Sequence, residues 1–384
     1  MDESMTKEIN KPSIALIDSA GLKSGMHHYN RFLLEALNKE GYNCFLFSNT
    51  SEENPAYKSY NVFPGREGNR FLNYFKTLNA FRNSRKHILD MNCEYVVLHL
   101  FHAGSLNRKL ISYLKKSGLK ILLIVHDCES FVHKSSLENL KTICSELANK
   151  LIVHNKYTRD ELIRLCGEFL PDKLHVIPHG NFIQLSKVSE NIQKSEAIKK
   201  LGLDPVKKHL LFFGMIKRNK GLDNLLEAMA HVRNDLVLII AGPLRETSFD
   251  PYMSIILRNG LKKKVKLMIQ YIPEEERELL FRASDMILLP YRKIYQSGVL
   301  LMAMSYGLPC IVSLAPAFSE IIEDGRSGII SDPENQEAFA EKINKSVDDP
   351  ILLHSLSRYA LEKMKDDHNW DHIASSWTQM LNVK

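Results

Sequence analysis

Cysteine is sparse in this chain and never falls into a motif. The six cysteines (Cys44, Cys93, Cys128, Cys144, Cys166 and Cys310) are scattered, mostly beside apolar runs, with no CxxC spacing. That pattern argues against a disulfide framework or a cysteine-based metal site and predicts reduced core thiols in a cytosolic protein. No apolar run approaches the ~20 residues a membrane-spanning helix needs. The opening MDESMTKEINKPS is polar and lacks the apolar core of a signal peptide, so the expected location is cytoplasmic. No aromatic-studded basic repeat or zinc-ligand spacing supports nucleic-acid binding. A net charge of +6 is modest for 384 residues and fits acidic small molecules or an anionic membrane surface. What the chain does have is ordinary globular composition, 44% hydrophobic and 25% charged, in a length that exceeds one compact core.

Short apolar runs of strand length alternate with helical patterns, which predicts parallel sheets covered on both faces. In the first half the runs are Ile14–Asp18, Cys44–Phe47, Tyr95–Leu100, Ile121–His126, Leu151–His154 and His175–Pro178. In the second they are Leu210–Phe213, Leu236–Ala241, Val265–Ile269, Met286–Pro290, Cys310–Val312 and Ile329–Ile330. Residues 183–208 are polar and weakly periodic, with a Leu-Asp-Pro break. The expected organisation is a domain over 1–182, a linker over 183–208, a second domain over 209–367 and a helical tail over 368–384. The tail carries Trp370, Ile373, Trp377 and Leu381 at helical spacing, a stripe that must dock. The fold class is α/β: two doubly wound parallel-sheet domains with a cleft between them.

The chemistry-bearing residues cluster at the joints between these elements. In DMILLPYRKIYQSGVLLMAMSYGLPCIVS, Ser297 is placed to cap a buried helix that opens at Gly298 and Val299. A Ser-Gly step at such a helix start can turn backbone N–H groups towards an anion; an ordinary cap is the plainer reading. In FFGMIKRNKGLDNLLEAM, Gly214 turns the chain after a strand, and Lys217 and Lys220 flank the start of helical spacing. A solvated charge run is the commoner meaning of such lysines, but their glycine context favours phosphate. Gly242 ends the next strand, and Tyr271 and Ile272 precede Pro273 with its three glutamates, a helix start with Pro at the first position. Glu323, Asp324 and Gly325 read as a helix end with a glycine cap. In the first half, Gly25 opens a helix after the first strand and is followed by His27 and His28, which are exposed polar residues on the plainer reading. His126 with Asp127, His154 with Asn155, and His179 with Gly180 lie at strand ends, the edge where doubly wound sheets bind ligands. Three histidines suggest zinc, but their spacing is not that of a ligand set, and no metal is expected.

QSGVLLMAMSYGLPCIVS followed by SEIIEDGRSGII resembles the nucleotide-sugar-binding motif of family 4 glycosyltransferases, retaining enzymes of the GT-B fold. The family pattern places two glutamates where this sequence has Ile294 and Met302, aligned on Gly307, and the Tyr-Gln-Ser-Gly that fills the gap is similar to a recurrent variant. The ribose contact of the missing acid therefore does not carry over to Met302; Gln296 or Glu320 is the candidate substitute. FGMIKRNKG resembles the family's Gly-x-x-Arg/Lys-x-x-Lys-Gly motif, which implies that Lys217 and Lys220 hold the donor diphosphate, with Met215 standing where many relatives have Arg. The same resemblance implies that Gly25 belongs to a glycine loop reaching the diphosphate, that Gly242 lies in a donor-side turn, and that Tyr271 and Ile272 lie over the base. It places His126 near the reacting sugar, makes His27, His28, Asp127, His154 and His179 candidates on the acceptor side, and casts the tail as a brace crossing back to the first domain. Pro316 and Ala317 replace the glycines that approach the sugar in relatives.

The implied activity is transfer of a sugar from a GDP- or UDP-sugar to a hydroxyl of a glycan or lipid-linked acceptor, with retention of configuration. The implied setting is capsule, polysaccharide or O-antigen assembly. His126, Lys217 and Lys220 are the expected catalytic residues, and no cofactor is needed beyond the substrate itself. The alternatives are a transferase-like subunit that binds nucleotide sugar without turnover, and a GT-B sugar-nucleotide epimerase. Arg66–Lys86 is strongly basic, with Phe71, Tyr74, Phe75, Leu78 and Phe81 on one helical stripe. It reads first as a helix docked on its own sheet and second as a peripheral contact with the inner face of an anionic membrane.

Overall fold

The computed structural model describes residues 11–19, 21, 25–63, 70–129, 136–167 and 170–383, apart from the side chains of Arg70 and Phe71. The chain divides into two compact units. One runs to Gly180 and takes in the segment from Trp370 onward, and the other spans Asn181–Asn369.

Seven strands build the sheet of the first unit: β1 (Ser13–Ile17), β2 (Asn43–Ser48), β3 (Tyr57–Asn61), β4 (Cys93–Leu100), β5 (Lys120–Val125), β6 (Lys150–Val153) and β7 (Leu174–Val176). Their order is β3-β2-β1-β4-β5-β6-β7, and every pairing is parallel. The chain winds outward in both directions from the β1/β4 pair, which makes that pair the switch point. β1 and β5 are almost wholly buried, as strands covered on both faces must be. Each strand read from the sequence is present to within two residues. β3, with the sequence YKSYN, is the exception: it lies at the sheet edge, half exposed, and so carries no apolar run to reveal it.

The helix Trp370–Asn382 belongs to this unit and packs on the helix Met26–Lys39. It buries Trp370, Ile373, Ala374, Trp377 and Met380; Leu381, expected on the stripe, is only half-buried, and Met380 takes its place. Trp370 seats directly on Gly180, where an added Cβ would lie 2.1 Å from the indole. All six cysteines are buried free thiols.

The second unit has β8 (Lys208–Phe213), β9 (Leu236–Ala241), β10 (Val265–Met268), β11 (Met286–Leu289), β12 (Cys310–Val312) and β13 (Ile329–Ile330). They form an all-parallel sheet in the order β10-β9-β8-β11-β12-β13, with its switch point at β8/β11. Residues 183–208 are part of this unit and not a bare connection. They form the helices Ile183–Val188 and Lys194–Lys200, the latter packed on Glu274–Ala283 through Ala197, Ile198 and Ala283. A buried polar knot ties the same region together: Glu278 accepts from Ser189 and Tyr306 and pairs with Arg277.

The glycine cap expected at Gly325 is a tight turn instead. The short helix Pro316–Ser319 ends earlier, and Gly325 (φ +74°) sits in a loop closed by its N–H donating to the carbonyl of Gly328. Pro273 precedes the first turn of its helix as the N-cap, with Glu274, Glu275 and Glu276 following as expected.

Candidate functional site

In the second unit the switch point brings together residues that are far apart in sequence. After β8 the chain turns at Gly214 (φ +106°), and after β9 at Gly242 (φ +146°). A Cβ on Gly242 would stand 1.9 Å from the Gly214 carbonyl oxygen, so the two turns touch backbone to backbone. Gly214 also faces the helix Gly298–Ser305, where an added Cβ would meet Val299 Cγ2 at 3.3 Å. Arg218–Lys220 form a short 3₁₀ turn, capped by the extended Lys217 and ending at Gly221 (φ +67°), where a Cβ would strike the Pro290 carbonyl at 2.0 Å. Gly221 is therefore required by the backbone of the loop after β11.

That loop holds the basic turn in place. Arg292 donates its backbone N–H to the Asn219 carbonyl at 2.9 Å and its guanidinium to the Arg218 carbonyl at 2.9 Å. The same guanidinium forks onto Asp223 at 2.6 and 2.8 Å and reaches Asn224 at 2.8 Å. The Lys220 ammonium lies 3.7 Å over the Tyr291 ring, which is buried, and burial pushes the Tyr291 phenol up. None of Arg292, Asn219 or Tyr291 stood out in the sequence, because a loop-to-loop clamp across about 70 residues leaves no local spacing.

Ser297 caps the helix as its position predicts, its hydroxyl accepting from the Leu300 N–H at 3.2 Å. Gly298 opens the helix onto empty space, with nothing within 4 Å of an added Cβ. The start of this helix thus adjoins the Gly214 turn through Val299, with open space beside Gly298. Ile294, where the family pattern has an acid, is buried, and Met302 is half-buried. Gln296 is half-buried one residue before the cap. Tyr271 (53% exposed) and buried Ile272 follow β10 at the same sheet edge, whereas Glu320 lies exposed where the helix Pro316–Ser319 ends.

In the first unit the carboxyl edge of the sheet gathers histidines. His126 follows β5, His154 follows β6, and His179 lies just beyond β7; the rings of His126 and His154 are 5.4 Å apart and those of His154 and His179 5.2 Å. The buried Tyr29 ring packs against all three. His154 Nδ1 lies 2.9 Å from the Ile177 carbonyl and His179 Nδ1 2.7 Å from the Gly180 carbonyl. Burial and the neighbouring rings hold His126 well below the usual histidine range, so it is neutral near pH 7. His99, near the end of β4, also joins the group; within the apolar run Tyr95–Leu100 it has no motif of its own to mark it. Among the described residues, no group of three or more His, Cys, Asp or Glu is arranged to hold a metal ion. Gly25 is exposed at the start of the helix Met26–Lys39, His27 lies 3.7 Å from Glu52, and His28 is buried on Phe32. Asp127 is half-buried directly after His126.

Residues 66–69 of the basic-aromatic segment lie outside the described residues, and the rest forms the helix Arg70–Asp90. Ala80, Phe81 and Ile88 face the core, while Leu72, Tyr74 and Phe75 are exposed alongside Arg82 and Lys86. Among the described residues, no helix is long and apolar enough to cross a membrane.

Two doubly wound parallel sheets define an α/β protein of the GT-B type. Residues 23–181 match the family described as Glycosyltransferase Family 4, and residues 193–363 match Glycosyl transferases group 1. Among curated relatives, D-inositol 3-phosphate glycosyltransferase 1 of Catenulispora acidiphila is 27% identical over 224 residues, covering 56% of this chain and 53% of that protein. The chain spans about half the length of the curated relatives it matches. Among solved structures, sucrose-phosphate synthase from Thermosynechococcus elongatus superimposes with a TM-score of 0.78 at 19% identity, covering 97% of this chain and 98% of that one. Anabaena HepE in complex with UDP-glucose does so with a TM-score of 0.72 at 16% identity, covering 97% and 100%. At these identities the structural likeness speaks for the fold.

Proposed function

We propose that the protein transfers a sugar from a nucleoside-diphosphate sugar to an acceptor hydroxyl, with retention at the anomeric carbon, and that the second unit binds the donor. The observation that carries this reading is the helix start at Gly298, with open space beside it and Val299 against Gly214, preceded by a loop whose Arg292 clamps the backbone of the basic turn. A diphosphate brings about two negative charges, and each charge-assisted hydrogen bond is worth roughly 1.5–3 kcal/mol. Lys217, Lys220 and the N–H groups following Ser297 would bind it and stabilise the charge that grows as it leaves. With Ile294 and Met302 apolar, no acid is left at those positions to grip a ribose, and Gln296 is the nearer polar candidate. His126, neutral and buried, would orient a hydroxyl of the sugar or acceptor. The reading calls for no metal, since Lys217 and Lys220 would supply the positive charge.

HepE holds UDP-glucose in its solved complex, which makes a UDP-sugar the first donor to test here. The acceptor class is a glycan or lipid-linked hydroxyl, in polysaccharide, capsule or O-antigen assembly on the cytoplasmic side of the membrane. Exposed Leu72 and Phe75 beside Arg82 and Lys86 support attachment of the first unit to an anionic bilayer. Charge reversal of Arg82 and Lys86 should abolish binding to anionic vesicles.

The deciding experiment is a thermal-shift titration with UDP, GDP, ADP, CMP and dTDP, followed by product analysis with the matching sugar donor. One diphosphate should stabilise the protein selectively, and Lys220→Ala should remove the effect. Absence of any shift, or binding without turnover, would overturn the transferase reading in favour of a non-catalytic subunit.

A further inference from the structure

His126 stands at the end of a chain of hydrogen bonds, buried at Asn30 and Asp18 and part-buried at His99, that crosses the switch point of the first unit. Asn30 Nδ2 donates to Asp18 Oδ2 at 2.9 Å, Asn30 Oδ1 lies 2.7 Å from His99 Nε2, and His99 Nδ1 lies 2.9 Å from His126 Nε2. The chain draws on residues at or just past the ends of β1, β4 and β5, adjacent strands, and on the helix Met26–Lys39. Phe101 stacks on the His126 ring at 4.5 Å with planes 10° apart, and Tyr29 stands edge-on to both histidines, so neither ring is loosely held.

The polarity of this chain follows from its first member. A carboxylate only accepts, so Asn30 must turn its NH₂ towards Asp18 and its carbonyl towards His99. His99 then carries its proton on Nε2. A neutral imidazole has one N–H, so His99 Nδ1 is an acceptor and His126 must donate from Nε2. The lone pair of neutral His126 is left on Nδ1, which has no hydrogen-bond partner among the described residues. Burial pulls His99 down to about 4 against the opposing pull of Asp18, and holds His126 low as well, so both rings are neutral as this logic requires.

We infer that Asp18, Asn30 and His99 are positioning residues that lock His126 in the Nε2–H tautomer, so that Nδ1 accepts a hydrogen bond from a substrate hydroxyl. The last clause rests on the role given to His126 above, but the tautomer itself does not. A relay of this kind acts by fixing which nitrogen is the acceptor before substrate arrives. A side chain chosen only for packing would not need its polarity set three residues back.

The test is long-range ¹H–¹⁵N spectroscopy of the full chain labelled at histidine nitrogen, with His99→Gln and His126→Gln used for assignment. Wild type should show Nε2–H at both His99 and His126. Asn30→Asp places a second carboxylate beside His99 and should draw a proton onto it. His99 would then donate through Nδ1 and turn His126 to its Nδ1–H form. Transfer should fall about tenfold or more in kcat, with donor KM nearly unchanged, for the loss of one well-aligned hydrogen bond. Asp18→Asn, a milder change, should leave a mixture of tautomers at His126. An Nδ1–H or doubly protonated His126 in wild type, or a tautomer unmoved in both variants, would overturn the relay. The spectra need no turnover, so failure to find a transfer reaction would count against the function and not against the relay.

Discussion

Gly298→Ala separates a glycine required by the fold from one required by a ligand. Gly298 is the first residue of the helix Gly298–Ser305, its φ is not positive, and an added Cβ meets nothing within 4 Å. Alanine is better than glycine within a helix by up to about 1 kcal/mol. In a unit of this size, that raises the unfolding temperature by about 2–4 °C. If the empty space over Gly298 is where the donor diphosphate sits, the same methyl displaces it from the helix N–H groups. Losing one charge-assisted hydrogen bond at ~1.5–3 kcal/mol weakens binding by roughly 10- to 150-fold. The assay is thermal unfolding of wild type and variant, with and without UDP or GDP, backed by calorimetric titration. The expected pair of results is a Tm equal to or above wild type without nucleotide, and a lost shift with it. Gly242→Ala is the contrast: its Cβ would strike the Gly214 carbonyl at 1.9 Å from a φ of +146°, so it should destabilise the protein in every condition. A Gly298→Ala protein that binds diphosphate as tightly as wild type would refute the placement of the anion.

Three other predictions test the surroundings of the site. Tyr291→Leu removes the ring beneath the Lys220 ammonium and should weaken diphosphate binding several-fold, on the order of 1 kcal/mol, with Tyr291→Phe nearly silent; titration calorimetry decides it. Trp377→Ala deletes a fully buried indole from the helix docked on the first unit and should cost about 3–5 kcal/mol, read from denaturant unfolding. Folding stability should also fall with acid. His99 (about 4) and His126 are lowered in the folded protein relative to ~6.5 in the unfolded chain, so their contribution is complete above ~6.5 and is lost as pH falls through the window towards 4. Urea melts across that range should show a shallower loss in His99→Gln than in wild type.

Most of the strand framework was legible because parallel strands buried on both faces leave continuous apolar runs, and the cap at Ser297 was legible because capping is local. The edge strand β3 and the two helices within residues 183–208 were not, since one is half exposed and the others are too short to show a period. At the candidate site the glycines and lysines could be read from spacing, but the clamp by Arg292 could not. It joins residues whose nearness exists only once β8 and β11 have paired. The same holds for His99 and Asn30, each unremarkable in its own segment and tied together across 69 residues by a single hydrogen bond.

The docking of Trp370–Asn382 on the helix Met26–Lys39 has a consequence for the order in which the protein can be made. The first unit is written in two separate stretches of the chain, with all of the second unit between them. During synthesis its sheet emerges early but waits, with the face for Trp370 and Trp377 uncovered, until the whole second unit has been translated. A premature stop before residue 370 would therefore leave the later unit's coding intact and cripple the earlier one. A proteolytic nick in that late helix would do the same to a finished molecule.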